Sequence, residues 1–298
     1  MTGDRVLAYR RRCLASGDSL STVERGTRLL TFLAERWNLN LADGHPTHDE
    51  AILLMATVRE SGNVVASTLR NYVRELNHFS KHMALGWHLD YPRAHARLVE
   101  EYLTQEEEDK VRALRWGVPM VDIRNRALIS LAFSTGLRRA EICALTLDDL
   151  VTMPTGNRAI MVRRGKGDKP RTVYPDVDTW DLLDLWVTHH RPDTDPRALW
   201  TTYKGPLTYN GFGQLAVDIG AKAGIKRFWW HGARHRLIDN MIDAGVHLPT
   251  IQAMAGHVRP ETTMSYVSQR QLRDSTEREA LEFQARASFR AAEAAGCA

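Results

Sequence analysis

Between His231 and Tyr266 the chain reads HGARHRLIDNMIDAGVHLPTIQAMAGHVRPETTMSY, and several residues in it could act on one phosphate. His231 and Arg234 are three apart, so on a helix they share a face. A guanidinium fork matches two phosphate oxygens and stays charged at any working pH. A histidine beside it can take or give a proton near neutrality. The pair Gly256-His257 follows, and Tyr266 closes the stretch with a candidate nucleophile. An anion clamp, a base and a phenol together point to phosphoryl transfer onto a side chain.

Two further stretches carry groups of the same kind. Thr135-Gly136-Leu137-Arg138-Arg139-Ala140-Glu141 offers a second arginine just after a helix-breaking glycine, with a carboxylate three positions on. A helix beginning near Leu137 would turn Arg138 and Glu141 the same way, either as a surface pair or with Glu141 orienting its neighbours. Arg164-Gly165-Lys166-Gly167-Asp168-Lys169 is turn chemistry between two β-prone runs, 158–163 and 171–174. The two runs make a hairpin with Lys166 near its tip. A lysine there is either solvated or, when desolvated, a proton donor to a leaving oxygen.

This ordered set resembles the tyrosine recombinase (phage integrase) family, over about Thr104 to Val267. The resemblance implies a mainly α fold with a small β-hairpin, in a Xer-like arrangement of a helical, SAM-like core-binding domain and a catalytic domain. It also implies a site-specific DNA recombinase that cuts and rejoins strands through a 3′-phosphotyrosine and a Holliday junction, with no cofactor, ATP or metal. Tyr266 would attack the phosphate while Arg138 and Arg234 hold its oxygens. His231 would take the tyrosine proton, Lys166 would protonate the leaving 5′-oxygen, His257 would donate to the phosphate, and Glu141 would support the arginines and histidine. Lys169 misses the Gly-Lys-Gly position. The implied partners are double-stranded DNA with specific core sites, three further copies in a tetramer assembled on DNA, and an accessory directionality protein. The free protein would be monomeric or weakly associated. Ala233 and Ala255 stand where the family usually has leucine, which implies looser packing under the site.

Other readings use the same residues. His231 and His235 have the spacing of two zinc ligands on one helix, but Gly232 stands where the H-E-x-x-H motif has its glutamate base. A DNA-binding protein retired from catalysis, or a type IB topoisomerase, could share the fold.

The elements that must position these groups fall into four segments. Residues 1–95 read as a helical core-binding domain, 96–103 as a linker, 104–270 as the catalytic domain, and 271–298 as a helical tail for subunit contacts. Because the chain begins almost at the core-binding domain, no arm-binding domain is expected before it. In the first segment Leu69, Tyr72, Val73, Leu76, Phe79 and Met83 form one helical stripe. The opposite face carries Arg70, Arg74, Lys81 and His82, a solvated surface or a DNA contact. Arg163, Arg164, Lys169 and Arg171 form a second basic patch around the hairpin. Thr104 and Glu107 have capping-box spacing and open the catalytic domain. Trp229 and Trp230 could stack on DNA, with buried packing the plainer expectation.

Composition sets outer bounds. With 43% hydrophobic and 26% charged residues and a net charge of +4, the chain has a globular composition that permits nucleic-acid binding without arguing for it. Its three cysteines, Cys13, Cys143 and Cys297, imply neither a disulfide framework nor a zinc knuckle. With no signal peptide and no apolar run of spanning length, a cytoplasmic location is expected.

Overall fold

The computed structural model describes residues 2–92, 103–163, 170–256, 264 and 266–267. The chain divides into two compact units, Met1–Leu98 and Val99–Ala298. Of the expected segments, the linker lies mostly outside the described residues and the C-terminal tail wholly so. No helix among the described residues is long and apolar enough to cross a membrane.

The first unit contains α1 (Thr2–Ala15), α2 (Leu20–Trp37), α3 (His48–Glu60) and α4 (Ala66–Met83). Local chemistry sets the helix ends. The Ser19 side chain accepts from the Thr22 N–H at the start of α2, and Thr47 and Glu50 form a reciprocal capping box for α3. The stripe read on α4 is buried along its length and meets Val23, Leu30 and Leu33 of α2 and Leu54 and Val58 of α3 in one core. Arg74 and Lys81 are exposed on the other side of α4. His82, which sequence spacing would group with them, turns instead toward Tyr9 of α1.

The second unit opens with α5 (Gln105–Arg112), whose N-terminus carries the Thr104–Glu107 capping box. It continues through α6 (Pro119–Thr135), α7 (Arg139–Ala144) and a 3-10 turn at Leu147–Asp149. Strands β1 (Leu150–Thr152), β2 (Arg158–Val162) and β3 (Arg171–Val173) form an antiparallel sheet in that order. Helix α8 (Val177–Leu185) runs into a π turn at Trp186–His190, and β4 (Thr201–Thr202) pairs with β5 (Gly205–Pro206). Helices α9 (Tyr209–Ala223), α10 (Trp230–Asp243) and α11 (Leu248–Ala255) complete the described fold.

α6 is the centre of this unit. Beyond the stripe Ile123, Ala127, Leu128, Leu131 and Ala132, Ile129 and Phe133 on its other side are also buried, because α5, α8 and α10 enclose the helix. Gly136, at φ +60°, ends α6, and the chain turns at once into α7.

In the β2–β3 hairpin Ile160 pairs with Val173, Met161 with Thr172 and Val162 with Arg171. Directly opposed residues share a face, and faces alternate along a strand. Ile160, Val162 and Val173 are buried, so Arg171 is also on the inward face. The hairpin tip, with Arg164, Lys166 and Lys169, lies outside the described residues.

Leu128→Ala should lower the stability of this unit by about 3 kcal/mol, as expected for a fully buried leucine. Equilibrium denaturant unfolding read through the unit's tryptophans checks this.

Candidate active site

The end of α11 organises the site. A helix leaves its last carbonyls without intrahelical partners, and its C-terminus favours positive charge. Three consecutive carbonyls here each receive a guanidinium. Met254 O accepts from Arg171 Nε at 3.3 Å, Ala255 O from Arg234 Nη2 at 2.5 Å, and Gly256 O from Arg138 Nη2 at 3.1 Å. The arginines come from β3, from α10, and from the turn between α6 and α7.

Glu141 ties two of them together. Its Oε1 accepts from Arg138 Nη1 at 2.9 Å and Arg171 Nη1 at 2.8 Å, and its Oε2 accepts from Arg171 Nη2 at 2.7 Å. Oε2 also accepts from the Arg138 backbone N–H at 2.8 Å, which makes Arg138 the N-cap of α7. The two residues therefore meet by capping and not as two positions within one helix. Desolvation opposes ionisation of this carboxyl, but the hydrogen bonds from Arg171 and from the Arg138 backbone, and both positive charges, outweigh it. Its pKa is lowered to about 2.

Arg234 is fully buried, and its Nη1 also donates to Gly136 O at 2.8 Å. Burial, and then the nearby charge of Arg138, lower its pKa to about 10, so it remains a cation at neutral pH. Among the described residues the side-chain bonds of Arg138 and of Arg234 each engage two of five N–H donors, and of the two only Arg138 lines the cleft. Three guanidiniums gathered at one helix end, two of them held by Glu141, make a cationic site.

Gly256 closes the arrangement. Its φ of +62° ends α11, and a Cβ there would stand 2.9 Å from the Arg171 guanidinium carbon. The close approach and the left-handed backbone both require glycine.

Tyr266 is buried against Ile238 of α10 and Ile251 and Ala255 of α11. Its ring lies 5.0 Å from that of His235, which in turn meets His231 edge-on at 4.5 Å. Its phenol is also within electrostatic reach of Arg234. His231 itself is exposed, and with Arg138, Arg139, Tyr209 and Trp229 it lines a cleft of about 400 Å³. His231 and Arg234 thus begin the same helix, but the histidine stays at the cleft while the arginine turns inward. His257 lies outside the described residues.

Several basic residues named from the sequence are engaged differently from expectation. Arg171 is not part of an exposed patch: its side chain is only 11% exposed and is bonded to Glu141. The parity of β3 is the physical reason, since Arg171 lies two residues before buried Val173. Arg163 is exposed and paired with Asp149. In the first unit Arg70 donates to Pro92 O at 2.5 Å and covers the Tyr91 ring. Arg74 and Lys81 border an open groove of about 650 Å³ that Trp87, His88 and Tyr91 also line.

Some site residues escaped the sequence reading. His235 entered only as a possible zinc ligand, yet it lies between His231 and Tyr266. Arg139 stacks 3.6 Å above the Tyr209 ring and walls the cleft with Trp229. Trp230, in contrast, is buried as the plainer sequence expectation has it, and its indole N–H donates to Phe212 O at 2.8 Å.

The phage integrase family matches residues 101–273 of this chain. The tyrosine recombinase XerC of Mycobacterium sp. (strain KMS) is 29% identical over 192 residues, covering 60% of this chain and 61% of that protein. The tyrosine recombinase XerA of Pyrococcus furiosus is 28% identical over 282 residues, covering 88% and 89%. The chain therefore spans about three fifths of the length of the XerC relative and most of the XerA relative. XerH bound to difH before cleavage superposes with a TM-score of 0.65 at 19% identity, covering 88% of this chain and 81% of that one. The Tn1549 transposon integrase with right-end DNA gives 0.66 at 18% identity, covering 93% and 99%. Both likenesses are of fold.

The depressed Glu141 pKa has a signed consequence. Stability from its ion pairs is fully present above its ordinary value of 4.5 and is lost as pH falls toward about 2. Denaturant unfolding across that window should show a steeper loss in the wild type than in Glu141→Gln. Gly256→Ala should cost at least about 1 kcal/mol from backbone strain and also weaken phosphate binding measured by calorimetry.

Proposed function

The chain belongs to the phage integrase family, and on that premise we propose that it is a site-specific DNA recombinase that cuts and rejoins strands through a covalent tyrosine intermediate. The observation that carries this reading is the meeting of Arg138, Arg234 and Tyr266 around the end of α11, with Glu141 holding Arg138.

A backbone phosphate enters from the cleft and lies between the remaining donors of the two arginines. The Tyr266 oxygen attacks phosphorus, a P–O bond to tyrosine forms, and the P–O5′ bond breaks. The products are a 3′-phosphotyrosine and a 5′-hydroxyl. His231 accepts the tyrosine proton, with His235 in contact with both rings. Lys166, at the hairpin tip, supplies the proton that the 5′-oxygen needs, and His257 donates to a non-bridging oxygen.

Negative charge grows on those oxygens in the transition state, and the two guanidiniums meet it already in place, since the helix carbonyls hold them. In this reading they do the electrostatic work a metal would do. The covalent bond stores the phosphodiester energy, so rejoining needs no ATP.

The two units divide the labour. Residues 1–95 form a core-binding domain whose Arg74 and Lys81 face phosphates, and 104–270 form the catalytic domain, joined by a linker at 96–103. The partner is double-stranded DNA with paired core sites. Four copies act together through a Holliday junction, and the tail 271–298 reaches a neighbouring copy. An accessory protein sets direction.

The test uses duplexes nicked beside candidate phosphates, drawn from DNA flanking the coding region. Wild-type protein should trap DNA through SDS, and Tyr266→Phe should bind equally well and trap none. An adduct formed by the phenylalanine variant would move the nucleophile elsewhere. Lys166→Ala should slow cleavage far more than binding, and a 5′-phosphorothiolate substrate, whose leaving group needs no proton, should restore the rate. Absence of that rescue removes Lys166 from the acid role.

A further inference from the structure

A second group of chemically capable side chains lies in the helical unit and is unused by the proposed reaction. Cys13 of α1, Asp18 of the following turn, and His78 and His82 of α4 offer one ligand atom each, all within 4.8 Å of one another. We propose that these four residues bind a transition-metal ion, zinc by the donor set, in a closed tetrahedral site that fastens α1 to α4.

The backbone prepares the site. His78 and His82 are four apart on one helix and present neighbouring rings, with centroids 4.4 Å apart. Gly17, at φ +87°, turns the chain after α1, and the Asp18 N–H donates to Cys13 O at 3.1 Å. The carboxylate is thereby folded back over the thiol, which is fully buried.

The distances fit a metal better than hydrogen bonds. His78 Nε2 and His82 Nε2 stand 3.3 and 3.2 Å from Asp18 Oδ2. A tetrahedral ion with bonds of about 2.0 Å to nitrogen and oxygen separates its ligands by roughly 3.3 Å. Charge-assisted hydrogen bonds are shorter, about 2.7–2.9 Å. Asp18 Oδ2 is shut from solvent and makes no hydrogen bond of acceptable geometry among the described residues.

The outer partners point the same way. The Tyr9 hydroxyl donates its one proton to buried Glu75 at 2.9 Å, so at 2.7 Å from His78 Nδ1 it must accept. That puts a proton on Nδ1 and leaves a lone pair on Nε2 in neutral His78, facing a carboxylate oxygen. Two acceptors facing each other need a metal ion or a further proton between them. Ser16 Oγ stands 3.3 Å from His82 Nδ1 and fixes the second ring likewise. Metal-bound histidines characteristically anchor their other nitrogen in this way.

Four protein ligands leave no open coordination position, so the ion is structural and adds no chemistry to the cleft. It would hold α4, and with it the exposed Arg74 and Lys81, in a set orientation on the bundle.

Titration of the full chain with Co²⁺ tests this. One ion per chain should bind with the strong visible bands of tetrahedral cobalt and a near-ultraviolet thiolate charge-transfer band. Zn²⁺ should displace it, and zinc should raise Tm while chelator lowers it. Cys13→Ser should remove the charge-transfer band, and Cys143→Ser/Cys297→Ser should keep it. Asp18→Asn, which preserves shape, should weaken binding by more than about a hundredfold, and Tyr9→Phe by about tenfold. Circular dichroism confirms that each variant is folded. Folded wild-type protein that binds no cobalt, or binds it octahedrally, or keeps a thiolate band in Cys13→Ser, would overturn the site and leave protonated histidines on Asp18 as the explanation.

Discussion

The carbonyls of Met254, Ala255 and Gly256 are the constraint on which the catalytic unit depends, because each receives one of three arginines drawn from separate parts of the chain. Like charges do not gather without compensation. Here the helix terminus supplies partial negative charge, and Glu141 supplies a full one. The cost of burying Arg234 shows as its lowered pKa, and the carbonyls of Gly136 and Ala255 offset that cost by taking its donors. The result is a cationic site ordered before any anion arrives.

Distant features of the fold serve this one junction. Gly136 ends α6, presents its carbonyl to Arg234, and starts the turn that makes Arg138 a helix cap. The alternation of β3 aims Arg171 inward, where it braces Glu141 together with Arg138. α11 ends at Gly256 in a conformation that leaves room for Arg171. The same helix and α10 form the apolar pocket that holds Tyr266 beside His235, so the packing that exposes the carbonyls also places the phenol.

Much of this was legible in the residues. The α4 stripe, the Thr104 cap, the glycine stop after α6 and the β2–β3 hairpin follow from local rules of periodicity and capping, which need no tertiary partner. Arg138, Glu141 and Arg234 could be named from their order. Arg171 departs from its expectation because a basic residue near a turn reads as solvated. Counting its parity against Val173 would have turned it inward. His235 reads from spacing only as half of a zinc pair, since nothing local says that Tyr266 packs on it. The cluster around Cys13 was invisible for a plainer reason: its cysteine and histidines are more than sixty positions apart, and only the packing of α1 on α4 brings them together.

The central claim is that a buried carboxylate sets the arginines for phosphate chemistry, and single-turnover cleavage of a nicked duplex by Glu141→Gln tests it most directly. The substitution keeps size and shape but removes the charge that Arg138 and Arg171 share. Cleavage should slow by about a hundredfold, the scale of a misplaced catalytic group, while DNA affinity stays near that of the wild type. A variant that cleaves at the wild-type rate would contradict the account.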